Sequence, residues 1–410
     1  LVNKSGNDKV RIGVVGCGVV ATAYYLPYLM RMDTAELTAV CDLVPARTAA
    51  CVRLFGAREA YHDYDEMIEQ ADLDAVMILT APGTHVSFAL KAIAKGLHVL
   101  IQKPMATNMA DAQTIAAAVR EAGVVALIEP SSNSPLDPDV AHMRELVRAG
   151  VLGDVLWFSL GSTGPTSYGP SLGSNPYGQD AFYTADSGGF LFDLPYAPNN
   201  IVAVLGACKS VMARTQISVT DHLIVPEDRY DAFLKDAPSA DQANYWDVVV
   251  DLPRTQATRM EAVDNAYSLY EMRDGGVGTC HVGRTYHPTL PGAGSGALQV
   301  FGTEGNLIFG AGYTASIISS RRELLPQVDD DGWYHIPLRG DRRRAKWPQP
   351  TPGAFNYYHE STQHFVDCIR EGREPIVGVA WGLHITEMMA GALESSRTGR
   401  AYEMTTTLDY

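Results

Sequence analysis

Arg11-Ile12-Gly13-Val14-Val15-Gly16-Cys17-Gly18-Val19-Val20-Ala21 is the stretch on which the fold turns. A short apolar, β-rich run leads into G-x-G-x-x-A, and an apolar helix-forming segment follows. Gly16 permits a tight turn, Gly18 lets the backbone approach a pyrophosphate, and the small Ala21 allows close helix–strand packing. The amides at the helix start, Val19 and Val20 among them, face the phosphates, where the helix dipole favours an anion. Downstream, Ala39-Val40-Cys41-Asp42 closes a second strand on an acid 24 residues past Gly18. A carboxylate there accepts hydrogen bonds from ribose hydroxyls and repels a 2′-phosphate, which selects NAD over NADP.

Outward from this segment, strands are expected at Val10–Val15, Glu36–Asp42, Ala75–Leu79, His98–Gln102 and Val124–Ile128. Helices are expected at Val86–Lys95 and Met109–Ala122. Strand–helix alternation implies parallel strands with helical crossovers, hence a doubly wound α/β sheet over residues 1–135. After Asp137-Pro138 and a helix at Val140–Ala149 the pattern changes. Residues 136–410 read as an α+β domain with an open, mostly antiparallel sheet. Strands are expected at Trp246–Leu252, Val277–Val282 and Ala297–Phe301, with Gly302-Thr303-Glu304-Gly305 as a hairpin turn. A last helix at Leu383–Ser396 ends at Gly399 and is placed back on the first domain.

The bulk numbers bound the function. A length of 410 residues favours two domains. A net charge of -15 repels nucleic acid. No run reaches the ~18 apolar residues a membrane span needs, and the polar Leu1–Val10 lacks a signal-peptide pattern, so a cytoplasmic location is expected. The six cysteines have no paired spacing, which suggests a reducing compartment and no structural zinc.

Several further motifs together resemble the glucose–fructose oxidoreductase / inositol dehydrogenase (Gfo/Idh/MocA) family. Ile78-Leu79-Thr80-Ala81-Pro82-Gly83-Thr84-His85 is similar to the family's strand-four turn beneath the cofactor. His98-Val99-Leu100-Ile101-Gln102-Lys103-Pro104 resembles its E-K-P segment. Ser187-Gly188-Gly189-Phe190-Leu191-Phe192-Asp193 resembles the G-G-x-x-x-D that opens its second domain. Phe365-Val366-Asp367-Cys368-Ile369 and Ser395-Ser396-Arg397-Thr398-Gly399 look like its closing helices. The resemblance implies a Rossmann domain plus an open sheet that often forms the oligomer interface, here a dimer or tetramer. It also implies hydride transfer between NAD and a sugar or cyclitol hydroxyl. Thr80, Pro82, His85, Gln102 and Lys103 are then expected at the cofactor, Asn133, Tyr183 and Asn200 at the substrate, and Lys103, Asp193 and Tyr196 at the chemistry. The residue chemistry agrees for Lys103. A lysine past the carboxyl end of a parallel strand, beside a cationic nicotinamide, has its ammonium form disfavoured and accepts a hydroxyl proton.

Three departures from the family pattern matter. Gln102 stands where the family has glutamate, so a fixed negative charge beside Lys103 is expected to be missing. Ala197 occupies the acid/base position four residues past Asp193, with Asn200 at the following acid. Asn133-Ser134-Pro135 lacks the family's arginine. One reading has Tyr196, Tyr177 or Tyr183 replace the lost group in an ordinary dehydrogenase. A second resembles the family's NAD-dependent glycosidases, in which transient oxidation permits elimination and the same cofactor restores the hydroxyl. It needs another base, for which Tyr196, His281 and His287 are candidates. A third is a subunit that binds without turnover. The basic run Arg339–Pro348 reads as a solvated loop, an oligomer contact or a pocket for an anionic sugar. His359 and His364 are one residue too far apart for a zinc helix, so no metal is expected. The aromatic loop Tyr168–Tyr183 reads equally as a sugar-stacking surface or a pinned loop.

Overall fold

The computed structural model describes residues 9–130, 134–165, 183–249, 251–286, 296–310, 315–337 and 357–408. Val10–Val15 forms β1, whose four apolar residues are buried. A helix follows, its first turn the π-helical Ala21–Tyr25 and its α-helical end Leu26–Leu29 (α1). Then come β2 (Ala35–Cys41), α2 (Pro45–Phe55), β3 (Glu59–Tyr61), α3 (Tyr64–Gln70), β4 (Ala75–Ile78), α4 (His85–Ala94), β5 (His98–Ile101), α5 (Met109–Ala122) and β6 (Ala126–Ile128). The six strands are parallel in the order β3-β2-β1-β4-β5-β6. Strand order reverses between β1 and β4, and the crevice above that switch point is where such sheets bind ligands. Side-chain caps fix several helix starts: Asp63 accepts the Glu66 amide, Asn108 the Asp111 amide and Asp137 the Asp139 amide.

The chain continues through α6 (Pro138–Arg148), β7 (Val155–Pro165), α7 (Gly189–Asp193), α8 (Tyr196–Leu205), β8 (Cys208–Gln216), β9 (Asp221–Ile224), α9 (Asp228–Asp236), α10 (Trp246–Val249) and β10 (Gln256–Arg259). It closes with β11 (Asn265–Met272), β12 (Val277–Tyr286), β13 (Leu298–Gly302), β14 (Gly305–Phe309), β15 (Ala315–Ser319), β16 (Trp333–Ile336), α11 (Tyr357–Glu371), α12 (Val379–Thr398) and β17 (Tyr402–Glu403). Nine of these strands form a second sheet in the order β16-β15-β14-β13-β7-β12-β11-β8-β17. It is antiparallel except where β12 runs parallel to β7.

One strand expectation fails. Trp246–Val249, at the start of the run expected as a strand, forms the helical turn α10, where the Asn244 carboxamide oxygen accepts the Trp246 amide at 3.1 Å. A short apolar run carries no decisive period, and the cap selects the helix.

The two sheets share one core. A single buried cluster contains Val10 and Val14 of β1, Phe158 of β7 and Ile201 and Val204 of α8. Two late helices return to the first sheet. α11 packs on β1, α1 and the π-helical turn before it, where Tyr358 stacks on Tyr24 at 4.2 Å. α12 lies between β8 and the α5–β6 edge, so close that a Cβ on Gly382 would stand 2.7 Å from Ile128 Cγ2. The other face of the second sheet leaves Trp157, Met212, Tyr267, Leu269 and Val277 exposed.

Beyond α12 the chain is tied down by Glu387. Its carboxylate accepts from Tyr402 Oη, Thr405 N and Oγ1, and Thr406 N and Oγ1. Beside it, His384 Nε2 accepts the Cys208 amide at 2.9 Å, a role only the neutral imidazole can fill. Burial, opposed in part by Glu387, lowers the His384 pKa from 6.5 to about 4. The unfolded chain therefore takes up a proton below about pH 6.5 that the native state refuses until about pH 4. Stability from this group is full above pH 6.5 and declines by up to about 3 kcal/mol as pH falls through that window. Thermal melts between pH 7 and 4 are expected to show a shallower decline for His384→Gln than for the wild type; identical slopes contradict the assignment.

Candidate functional site

The glycine-rich turn is built so that only glycine fits its first position. Gly16 adopts φ +92, and a Cβ there would stand 2.8 Å from the Leu79 carbonyl at the end of β4. Asp42, at the end of β2, holds the turn through its carboxylate, which accepts the Cys17 amide at 2.8 Å and the Val44 amide at 2.9 Å. From the second half of the chain, the Tyr230 hydroxyl of α9 donates to the Cys17 carbonyl at 2.9 Å. Burial raises the Tyr230 phenol's pKa and keeps it a donor. Between these groups lies a cavity of about 560 Å³. Gly16, Gly18, Val19 and Val20 form its floor, with Asp42 at one end and Thr80, Pro82, Gln102 and Lys103 towards the other. Its size, the glycine cradle and the first-turn amides, which lack intrahelical acceptors, fit a dinucleotide with its phosphates on the turn. Sequence reasoning missed Leu43, 88% exposed at the rim beside Asp42, and Arg47 and Glu227 in the wall.

Lys103 and Asp193 meet at the far end. Lys103 Nζ is 2.5 Å from Asp193 Oδ1 and donates to the Asp193 carbonyl at 3.0 Å. The pair joins the end of β5 to the end of α7. Tyr196, in the first turn of α8, presents its ring 5.7 Å from the ammonium. Ala197, the position of the family's acid/base, is buried in the core. The one-residue offset therefore turns tyrosine to the lysine and alanine to the interior. Asn200 sits one turn past Tyr196 on the same helix face, and its Oδ1 has no hydrogen-bond partner among the described residues.

Behind Lys103 runs a buried polar chain. The Gln102 side-chain Oε1 accepts the Lys103 amide at 2.9 Å, and its Nε2 donates to Tyr25 Oη at 2.7 Å. Tyr25 and Ser361 hydroxyls both donate to Glu129 Oε1, at 3.0 and 2.7 Å. The π-helical turn delivers Tyr25 to this contact.

Four sequence expectations are corrected here. Lys103 does not lack a fixed negative charge, because Asp193 supplies one directly. His85 does not line the cavity. It is fully buried, with its ring nitrogens 2.8 and 3.0 Å from the carbonyls of Pro104 and Thr80, and it braces the two loops from behind. Tyr183 is buried in a small core with Phe190, Ile224 and Met260, not beside the lysine. His281 stands on the outer face of the second sheet, stacked on Tyr267 at 4.2 Å, over a cavity of about 630 Å³ separate from the lysine. Asn133, Tyr177, His287, Tyr168 to Phe182 and the Arg339–Pro348 run lie outside the described residues. Among the described residues no cluster of His, Cys, Asp or Glu has the makings of a metal site, and no helix is long and apolar enough to cross a membrane.

Comparison with known proteins places this geometry in context. A Gfo/Idh/MocA family model described as "Oxidoreductase family, NAD-binding Rossmann fold" matches residues 10–129. Two C-terminal models of the same family match 140–308 and 232–404, so that the three run along nearly the whole chain. The dTDP-3,4-didehydro-2,6-dideoxy-alpha-D-glucose 3-reductase of Streptomyces violaceoruber is 31% identical over 199 residues, 48% of this chain and 54% of that protein. The chain thus spans about half the length of the first curated relatives it matches. The scyllo-inositol 2-dehydrogenase (NAD(+)) of Bacillus subtilis (strain 168) is 22% identical over 400 residues, 97% of this chain and 96% of that one. Levoglucosan dehydrogenase, solved in complex with NADH and L-sorbose, superposes with a TM-score of 0.73 at 18% identity, covering 97% of this chain and 99% of that one. At that identity the likeness shows the fold alone.

Asp42 both holds the turn and faces the cavity, so Asp42→Ser is expected to weaken NAD+ binding by about tenfold to a hundredfold, the loss of charge-assisted hydrogen bonds. Calorimetry on the purified protein checks this, and unchanged affinity contradicts the ribose assignment.

Proposed function

The chain belongs to the Gfo/Idh/MocA oxidoreductase family, and on that premise we propose that it passes a hydride between NAD and a secondary hydroxyl of a sugar, glycoside or cyclitol. The observation that carries the reading is the ammonium of Lys103, held by Asp193 at the carboxyl end of a parallel strand and open to the cavity of the glycine turn. NAD, when bound, supplies the two-electron acceptor or donor. Gly16, Gly18, Val19 and Val20 hold its phosphates, and Asp42 its ribose. Lys103 gives a proton to the substrate oxygen during reduction and takes it back during oxidation. Asp193 fixes the ammonium's position and balances its charge. The Tyr196 ring closes one side of the lysine, and Asn200, whose buried Oδ1 has no hydrogen-bond partner among the described residues, lies one helical turn beyond it.

The wider setting fits this reading. The apolar outer face of the second sheet supports a homo-oligomer. A net charge of -15 argues against nucleic acid as a partner, and six buried, unpaired cysteines suit a cytoplasmic location.

A screen of polyols and glycosides for NADH formation tests the activity. Lys103→Met is expected to lower kcat by about 10²–10⁴-fold with NAD+ affinity essentially unchanged. Full turnover in that variant contradicts the mechanism. Release of an aglycone with no NADH accumulating would instead mark redox-neutral glycoside cleavage, the alternative use of the same lysine.

A further inference from the structure

The ribose end of the cavity is finished by the second half of the chain. Glu227, immediately before α9, lines the cavity together with Asp42 and Arg47. Arg47 lies in the first turn of α2, five residues past Asp42, where an arginine can take up the 2′-phosphate of NADP. Its planar fork suits that oxyanion. Here the fork is already engaged. Arg47 Nε donates to Asp231 Oδ1 at 2.5 Å, an outer nitrogen lies 3.9 Å from Glu227 Oε2, and the guanidinium stands 5.2 Å from the Tyr230 ring. The side chain is only 11% exposed. The other cation lining this end, Lys91, is paired with Asp65 at 2.7 Å. A dianionic phosphate entering here meets Asp42, Asp63, Asp65 and Glu227, while both cations are committed to carboxylates.

We propose that Glu227 and Asp231 hold Arg47 as a latent 2′-phosphate ligand, so that a helix of the second domain enforces the preference for a free ribose 2′-hydroxyl. The proposal rests on the NAD reading above and adds to it. Asp42 is the determinant in the nucleotide domain; the α9 acids are a second determinant contributed across the domain interface. Tyr230 fixes their position, since its hydroxyl is bound to the Cys17 carbonyl and to Thr22 Oγ1 at 3.1 Å.

The test is calorimetric titration of the nucleotide-free full chain with NAD+ and NADP+, with circular dichroism as the check of folding. In Glu227→Gln/Asp231→Asn the affinity for NADP+ relative to NAD+ is expected to rise by about tenfold. Adding Arg47→Ala is expected to abolish that gain. An unchanged ratio in the folded double variant, or a gain that survives without Arg47, overturns the proposal. If the double variant does not fold, Glu227→Gln alone carries the test, because that side chain is 55% exposed. It is expected to shift the ratio about threefold in the same direction, and no shift overturns the proposal. Wild-type protein that binds neither nucleotide overturns the NAD reading and this inference together, whereas normal NAD+ binding with an unmoved ratio overturns the inference alone.

Discussion

Two charges 2.5 Å apart, on Lys103 and Asp193, join the end of a parallel strand to the end of α7. Their side chains are 13% and 5% exposed. Removing two ions from water costs several kcal/mol each, and their attraction does little more than offset that cost. Stability alone therefore gives no reason to keep such a pair. Its position does, because the ammonium is held where the glycine-turn cavity ends. The contact also requires the two sheets to sit at a fixed separation. Their shared core, with α11 against β1 and α12 against the α5–β6 edge, holds that separation.

Much of the first sheet is legible in the sequence, because buried parallel strands are continuous apolar runs and their crossovers are capped helices. β1 and α5 lie where the residue pattern places them. β3 has two exposed residues among its three and gives no comparable signal. The second sheet is harder to read for a related reason. In β8 Ser210 and Met212 stand on the same outer face, paired with Glu271 and Leu269, so a polar residue and an exposed apolar one share it and the alternation that marks a half-buried strand is blurred. A face left apolar on its outer side erases the contrast that reveals strands.

At the site, short motifs carry local chemistry well and long-range geometry poorly. The glycine turn, Asp42 and Lys103 are contiguous with their own strands. The engagement of Asp193 with Lys103 spans 90 residues, and that of Tyr230 with the glycine turn spans 213. The second of these has no motif at all. His85 shows the opposite error: a histidine beside the cofactor turn in sequence points inward, because two backbone carbonyls claim its nitrogens. Tyr196 illustrates how a one-residue offset changes which side chain reaches the lysine while the helix itself is retained.

The central claim is that one end of the cavity holds the ribose at Asp42 and the other brings the nicotinamide to Lys103. The most direct measurement is a crystal structure of the complex with NADH. The account predicts a nicotinamide ring facing Lys103, its C4 separated from Nζ by roughly the width of one sugar carbon–oxygen unit, so that reacting atoms come within about 3–3.5 Å. A nicotinamide turned away from Lys103, or a nucleotide bound with its adenosine at that lysine, would contradict it.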